Sequence, residues 1–197
     1  HVFMCVVTDG RGRPKGDPHE IAAIRRAESE VSAAVVGAEL IWMGLPDGEL
    51  WFDGSTRHQF IEVIRRAKPD LIITHPADDY HPDHKTTSRL VMDAAQIART
   101  ANYASPLPPH RVTVPIAFME AELGIGFIPE EYVDITAVWP QKLAMLDSHK
   151  SQLMTAGYDP DFRLPHPDDN TFHKYARAWS GRLQTGCGDD PRSRTAV

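Results

Sequence analysis

Apolar positions along this chain switch repeatedly between a period near two and a period near 3.6. Residues 2–8 are apolar and β-branched and read as a buried strand. Residues 9–14 are polar, with glycine and proline, and form a loop. Residues 19–38 then give a helical pattern, with Ile21, Ile24, Ala27, Val31, Ala34 and Val35 on the face expected to be buried. Gly37 sits near its end. A second strand is expected over 39–45, a turn over 46–49, and a second helix over 56–67 with Phe60, Ile61 and Ile64 inward. Lys68-Pro69 ends that helix. A third strand follows at 70–74 and a third helix at 82–99.

Strand-helix alternation of this kind predicts an α/β fold: a Rossmann-like, three-layer domain on a mostly parallel sheet with crossover helices. The second half is less regular. Residues 102–109 form a proline-rich loop, and strands are expected at 112–119 and 132–136. A helix follows over 139–153, an irregular polar segment over 158–169, and a last helix over 172–183. One domain over 1–185 is expected, with 186–197 a disordered tail. The chain enters a strand at once and has no initiator Met, so the native N-terminus is expected upstream of His1.

With 197 residues, 42% of them hydrophobic, the chain can bury a real core. A formal net charge of −6 and the lack of a basic stripe argue against nucleic acid as a partner. Two distant cysteines, Cys5 and Cys187, make neither a metal motif nor a disulfide framework. A reducing, cytoplasmic setting is expected. No apolar run reaches the roughly 18 residues needed to span a bilayer.

The chemistry concentrates between the third strand and the third helix. His75, Asp78, Asp79, His81, Asp83 and His84 fall within ten residues, at the strand end where open α/β sheets place ligands. Imidazole with carboxylate suits zinc or a similar divalent ion, and also suits proton transfer near neutral pH. Pro82 belongs at the first helical position, which makes His81 an N-cap-like residue and puts Asp83 and His84 in the first turn. The helix N-terminus favours an anion there. One His can ligate, a carboxylate can orient an imidazole, and a second His can act as acid or stabilise an oxyanion. A catalytic zinc takes about three protein ligands, so at least one further ligand segment is needed.

Five segments together resemble the PIG-L/LmbE family of zinc-dependent N-acetylglucosaminyl deacetylases. They are Val7-Thr8-Asp9-Gly10, Arg25-Arg26-Ala27-Glu28, Lys68-Pro69-Asp70-Leu71-Ile72-Ile73-Thr74, His81-Pro82-Asp83-His84 and His149-Lys150-Ser151-Gln152. Their order matches the family over most of positions 1 to 185. The resemblance implies His84 as a zinc ligand, His81 as the oxyanion-stabilising or acid residue, and Asp83 as the carboxylate that orients it. It implies Arg25 as a sugar-holding residue, with Arg26 a close competitor, and His149 near the site or an interface. The implied cofactor is Zn2+, with Fe2+ the alternative. The implied partner is a small amino-sugar substrate, and association into a homo-oligomer is left open.

The family's other motif, a strand ending in His-Pro-Asp-Asp, supplies two more ligands and the general base, and is expected upstream of His1. Leu164-Pro165-His166-Pro167-Asp168-Asp169 copies its letters, but its flanks read as a loop before a helix, with Asp169 or Asn170 as N-cap. The function expected is removal of an acetyl group from an N-acetylated amino sugar. The competing reading is a non-catalytic sugar- or nucleotide-binding α/β module, inactive because the first metal motif is missing. Against a dinucleotide, no G-x-G-x-x-G follows any strand.

Overall fold

Pro18 and Pro82 each start a helix, and the residue before each serves as its cap. Asp17 accepts from the amides of His19 (2.7 Å) and Glu20 (3.3 Å), and so begins α1 (Pro18–Val35). Asp53 accepts from Thr56 (2.8 Å) and begins α2 (Gly54–Ala67). His81 is extended (φ −93°, ψ 129°) and begins α3 (Pro82–Ile97). The computed structural model describes residues 1–12, 16–120 and 127–155, all within one compact unit, His1–Tyr158. In chain order the elements are β1 (Phe3–Thr8), α1, β2 (Glu39–Leu45), α2, β3 (Ile72–Thr74), α3 and β4 (Ile116–Phe118). A 3-10 turn (Thr136–Val138), α4 (Trp139–Asp147) and α5 (Lys150–Thr155) follow.

The fold is α/β, with parallel strands and crossover helices. β1 pairs with β2 in parallel, Phe3 opposite Glu39 and Val6 opposite Trp42. β3 pairs with β4 in parallel, Ile72 opposite Ile116. Among the described residues these pairs remain two separate two-stranded sheets. What unites them is the helix pair behind them. Phe60, Ile61 and Ile64 of α2 pack with Leu90, Val91, Ala94, Ala95 and Ala98 at α3. Val7, Met43 and Leu45 from the first sheet and Ile72 and Ile116 from the second lean on that same cluster. The small side chains of Ala94 and Ala98, both fully buried, let the α2 backbone come close.

Arg65 closes this core at the far end of α2. It is fully buried, and its guanidinium donates to the carbonyls of Ala98 (3.2 Å), Thr100 (2.7 Å), Tyr103 (3.4 Å) and Leu107 (2.9 Å). Four acceptors in one fan match the planar donor geometry of arginine and fix the chain that leaves α3.

Three expectations need correction. The buried face of α1 is Ile21, Arg25, Ser29, Ser32 and Ala33, while Ile24 and Val31 are 50% and 58% exposed. The helix is rotated from its apolar stripe because Arg25 and Glu28 are drawn to the strand ends and α5. No strand forms at 132–136; Tyr132 and Val133 stand in solvent and the segment leads into the 3-10 turn. The helix expected over 139–153 is divided at Ser148-His149 into α4 and α5. The irregular segment 158–169, the helix 172–183 and the tail 186–197 lie outside the described residues.

Replacing Arg65 by Met strands buried carbonyls at about 1–3 kcal/mol each where water cannot reach them. R65M should therefore lower the unfolding free energy by about 3 kcal/mol in urea titration, and R65K should restore only part of it. A loss below about 1 kcal/mol for R65M would contradict this account of the core.

Candidate metal centre

β3 ends at Thr74, and His75 to His84 turn back over that end into α3. The turn is held by two buried carboxylates. Asp83 accepts from the amides of Gly48 (2.7 Å) and Leu50 (3.3 Å), which ties the loop after β2 to the first turn of α3. Asp79 accepts through Oδ1 from the amide of His81 (2.9 Å) and lies 3.1 Å from Nδ1 of His84. Its Oδ2 is buried and has no hydrogen-bond partner among the described residues. His75 stacks on His84, centroids 4.1 Å apart and planes 4° from parallel, and His81 lies 4.7 Å from His84.

The expected residues His81, Asp83 and His84 are therefore together, but their links differ from the expected ones. It is the amide of Asp83, not its carboxylate, that holds the His81 ring, donating to Nδ1 at 3.3 Å. A ring nitrogen that accepts from an amide carries no proton, so neutral His81 bears its hydrogen on Nε2 and is a donor there. Sequence reasoning assigned no role to His75 or Asp79. Three ligand-type atoms, one each from His75, Asp79 and His84, lie within 4.8 Å of one another. Imidazole and carboxylate are the donor types that suit a divalent ion of the zinc type, and a buried carboxylate oxygen there still lacks a partner among the described residues.

Arg25 belongs to a second group, at the end of β1. A Cβ on Gly10 (φ +69°) would meet Arg25 Cγ at 3.3 Å, so glycine there admits the arginine. Burial lowers the Arg25 pKa, against the opposing charges of Glu28 and Asp47. Asp47 accepts from Thr8 Oγ1 (3.3 Å) and the amide of Gly12 (3.2 Å). Glu28 takes both donors of Ser151, the amide at 2.7 Å and the hydroxyl at 2.6 Å, which docks the start of α5 on α1. His149, one residue before α5, faces Arg25 and Glu28, and burial pushes its pKa below the ordinary 6.5. Arg26, the competitor for the sugar-holding role, points out and pairs with Glu30 at 3.0 Å.

Residues 1–95 match the family model described as GlcNAc-PI de-N-acetylase, PIG-L. That stretch resembles the PIG-L family. The chain is 27% identical over 134 residues to a 4-oxalmesaconate hydratase of Pseudomonas putida, covering 65% of this chain and 50% of that protein. It is 28% identical over 133 residues to the 1D-myo-inositol 2-acetamido-2-deoxy-alpha-D-glucopyranoside deacetylase of Thermomonospora curvata, covering 52% and 44%. The chain thus spans about half the length of these relatives. The solved N,N'-diacetylchitobiose deacetylase of Pyrococcus horikoshii matches with a TM-score of 0.70 and 25% identity, over 93% of this chain and 68% of that one.

Two outcomes test this geometry. Removing the Asp83 carboxylate in D83A should cost about 2–3 kcal/mol. It should also speed amide exchange at Gly48 and Leu50; unchanged exchange there would rule out the clamp. His149 gives a pH signature. Its folded pKa is depressed, so below about 6.5 the unfolded chain takes up the proton first. Stability is then lost as pH falls from about 6.5 towards the folded value, and H149Q should flatten that part of the stability–pH curve.

Proposed function

We propose that this chain carries the second half of a metal-dependent amide-hydrolysing site that removes acetyl groups from N-acetylated amino sugars. The observation that supports it most directly is the pairing of two histidines with opposite roles at one helix N-terminus. His81, with Nδ1 taken by an amide, offers Nε2–H. His84, with Nδ1 taken by Asp79, offers the Nε2 lone pair. His84 would hold the ion, which when bound supplies Lewis acidity and a water of lowered pKa.

Around it the chain's own residues divide the work. His81 donates from Nε2 to the oxygen that gains charge as water adds to the acetamide carbonyl, aided by the positive end of α3. Asp83 keeps the loop after β2 against that turn. Arg25, buried beside Glu28 and Asp47, holds the sugar through its hydroxyls. Asp83 is committed to two amides, and Asp79 holds an amide and an imidazole through Oδ1. The family resemblance makes the base for the attacking water a carboxylate of the first metal motif. The cofactor is Zn2+, and the setting is the cytoplasm; no described helix is long and apolar enough to cross a membrane.

The hydratase among the relatives favours a second reading, addition of water to an unsaturated acid at the same centre. Both reactions bring water to a polarised carbonyl-bearing substrate, so product analysis separates them. Joined to that first metal motif upstream of His1 and loaded with zinc, the chain should release acetate from N-acetylglucosamine derivatives. H84A should abolish release, and H81Q should lower kcat by about 10²-fold with little change in KM. Hydration of 4-oxalmesaconate without any acetate release would replace the deacetylase reading.

A further inference from the structure

The loop from His75 to His84 puts three ligand-type side chains in one place, but their orientations do not suit one shared ion. An imidazole lone pair lies in the plane of its ring. His75 and His84 stack 4.1 Å apart with planes only 4° from parallel. Lone pairs in parallel planes run side by side. They do not converge on a point about 2.0–2.1 Å from both nitrogens, as zinc coordination requires. The carboxylate is also on the wrong side. Asp79 Oδ1 sits at Nδ1 of His84 (3.1 Å), across the ring from Nε2. A carboxylate can only accept there, so the proton of neutral His84 stays on Nδ1 and Nε2 is left bare.

We propose that Asp79 and His75 are positioning residues rather than ligands, and that they preset His84 as the single metal-ligating nitrogen of this segment. Asp79 fixes the tautomer. The same Oδ1 takes the amide of His81, so one buried oxygen sets both the donor histidine's backbone and the ligand histidine's ring. His75 holds the ring plane from the other face, while Tyr80 meets His84 edge-on, with centroids 5.7 Å apart. The inference rests on His84 as the ligand in the proposed function and concerns metal affinity alone.

Zinc affinity of the chain joined to the family's first metal motif upstream of His1, measured against a chelating dye without substrate, tests it. H84A should lose at least about 100-fold, D79N should weaken zinc by about 10-fold to 100-fold, and H75F should stay within about threefold. H75A should bind more weakly than H75F, because phenylalanine restores the stacking surface but no nitrogen. Amide protection along α3 confirms that each variant is folded, and the two His75 variants carry the test should D79N not fold. An H75F loss equal to that of H84A would make His75 a ligand and overturn the proposal, as would an unchanged D79N or a wild-type chain that takes up no zinc. Zinc binding in the expected order without acetate release would overturn the deacetylase reading and leave this inference standing.

Discussion

A carboxylate taken out of water must find donors, and two of them stand at the start of α3. Leaving such a charge unpaired costs several kcal/mol, more than most single contacts in a domain return. Asp83 finds its donors in the amides of Gly48 and Leu50, more than thirty residues upstream. Asp79 finds them in the amide of His81 and the imidazole of His84. The first pair fixes the loop after β2 to the helix; the second fixes the histidines to the helix start. With both in place, the C-terminal ends of β2 and β3 are held in one arrangement.

That local pinning matters because the strands cannot supply it. Two-stranded sheets are marginal on their own. Here β1–β2 and β3–β4 are joined by what they rest on, the α2–α3 cluster, and by the loop contacts at their ends. Arg65 secures the opposite end of the same helix pair with four carbonyl acceptors. Long-range polar bonds thus bracket a small apolar core, and the candidate site lies at one of the brackets.

The sequence carried the order of elements and the helix starts, because those depend on neighbours in the chain. Pro82 forces His81 to be extended, and an extended residue before a helix is its cap whatever lies around it. It did not carry what depends on distant partners. The partners of Asp83 are main-chain amides, which no side-chain motif announces. The buried face of α1 follows Arg25, Ser29 and Ser32 rather than its apolar stripe, because Glu28 bonds to Ser151, 123 residues away. The apolar segment 132–136 resembles a strand, but β-propensity describes a fit to a half-buried pleated surface, and Tyr132 and Val133 have none beneath them.

The roles of His81 and His84 show how far such partners reach into chemistry. The two residues are three apart, share a helix turn, and are the same amino acid. Sequence spacing alone cannot make one a donor and the other a ligand. The difference lies in what meets Nδ1. An amide N–H at His81 leaves the proton on Nε2; a carboxylate at His84 draws the proton to Nδ1 and bares Nε2. The amide is that of Asp83 and the carboxylate that of Asp79, so the residues that pin the turn also assign the tautomers. Displacing either one would alter which end of a histidine faces the crevice while leaving both histidines in place.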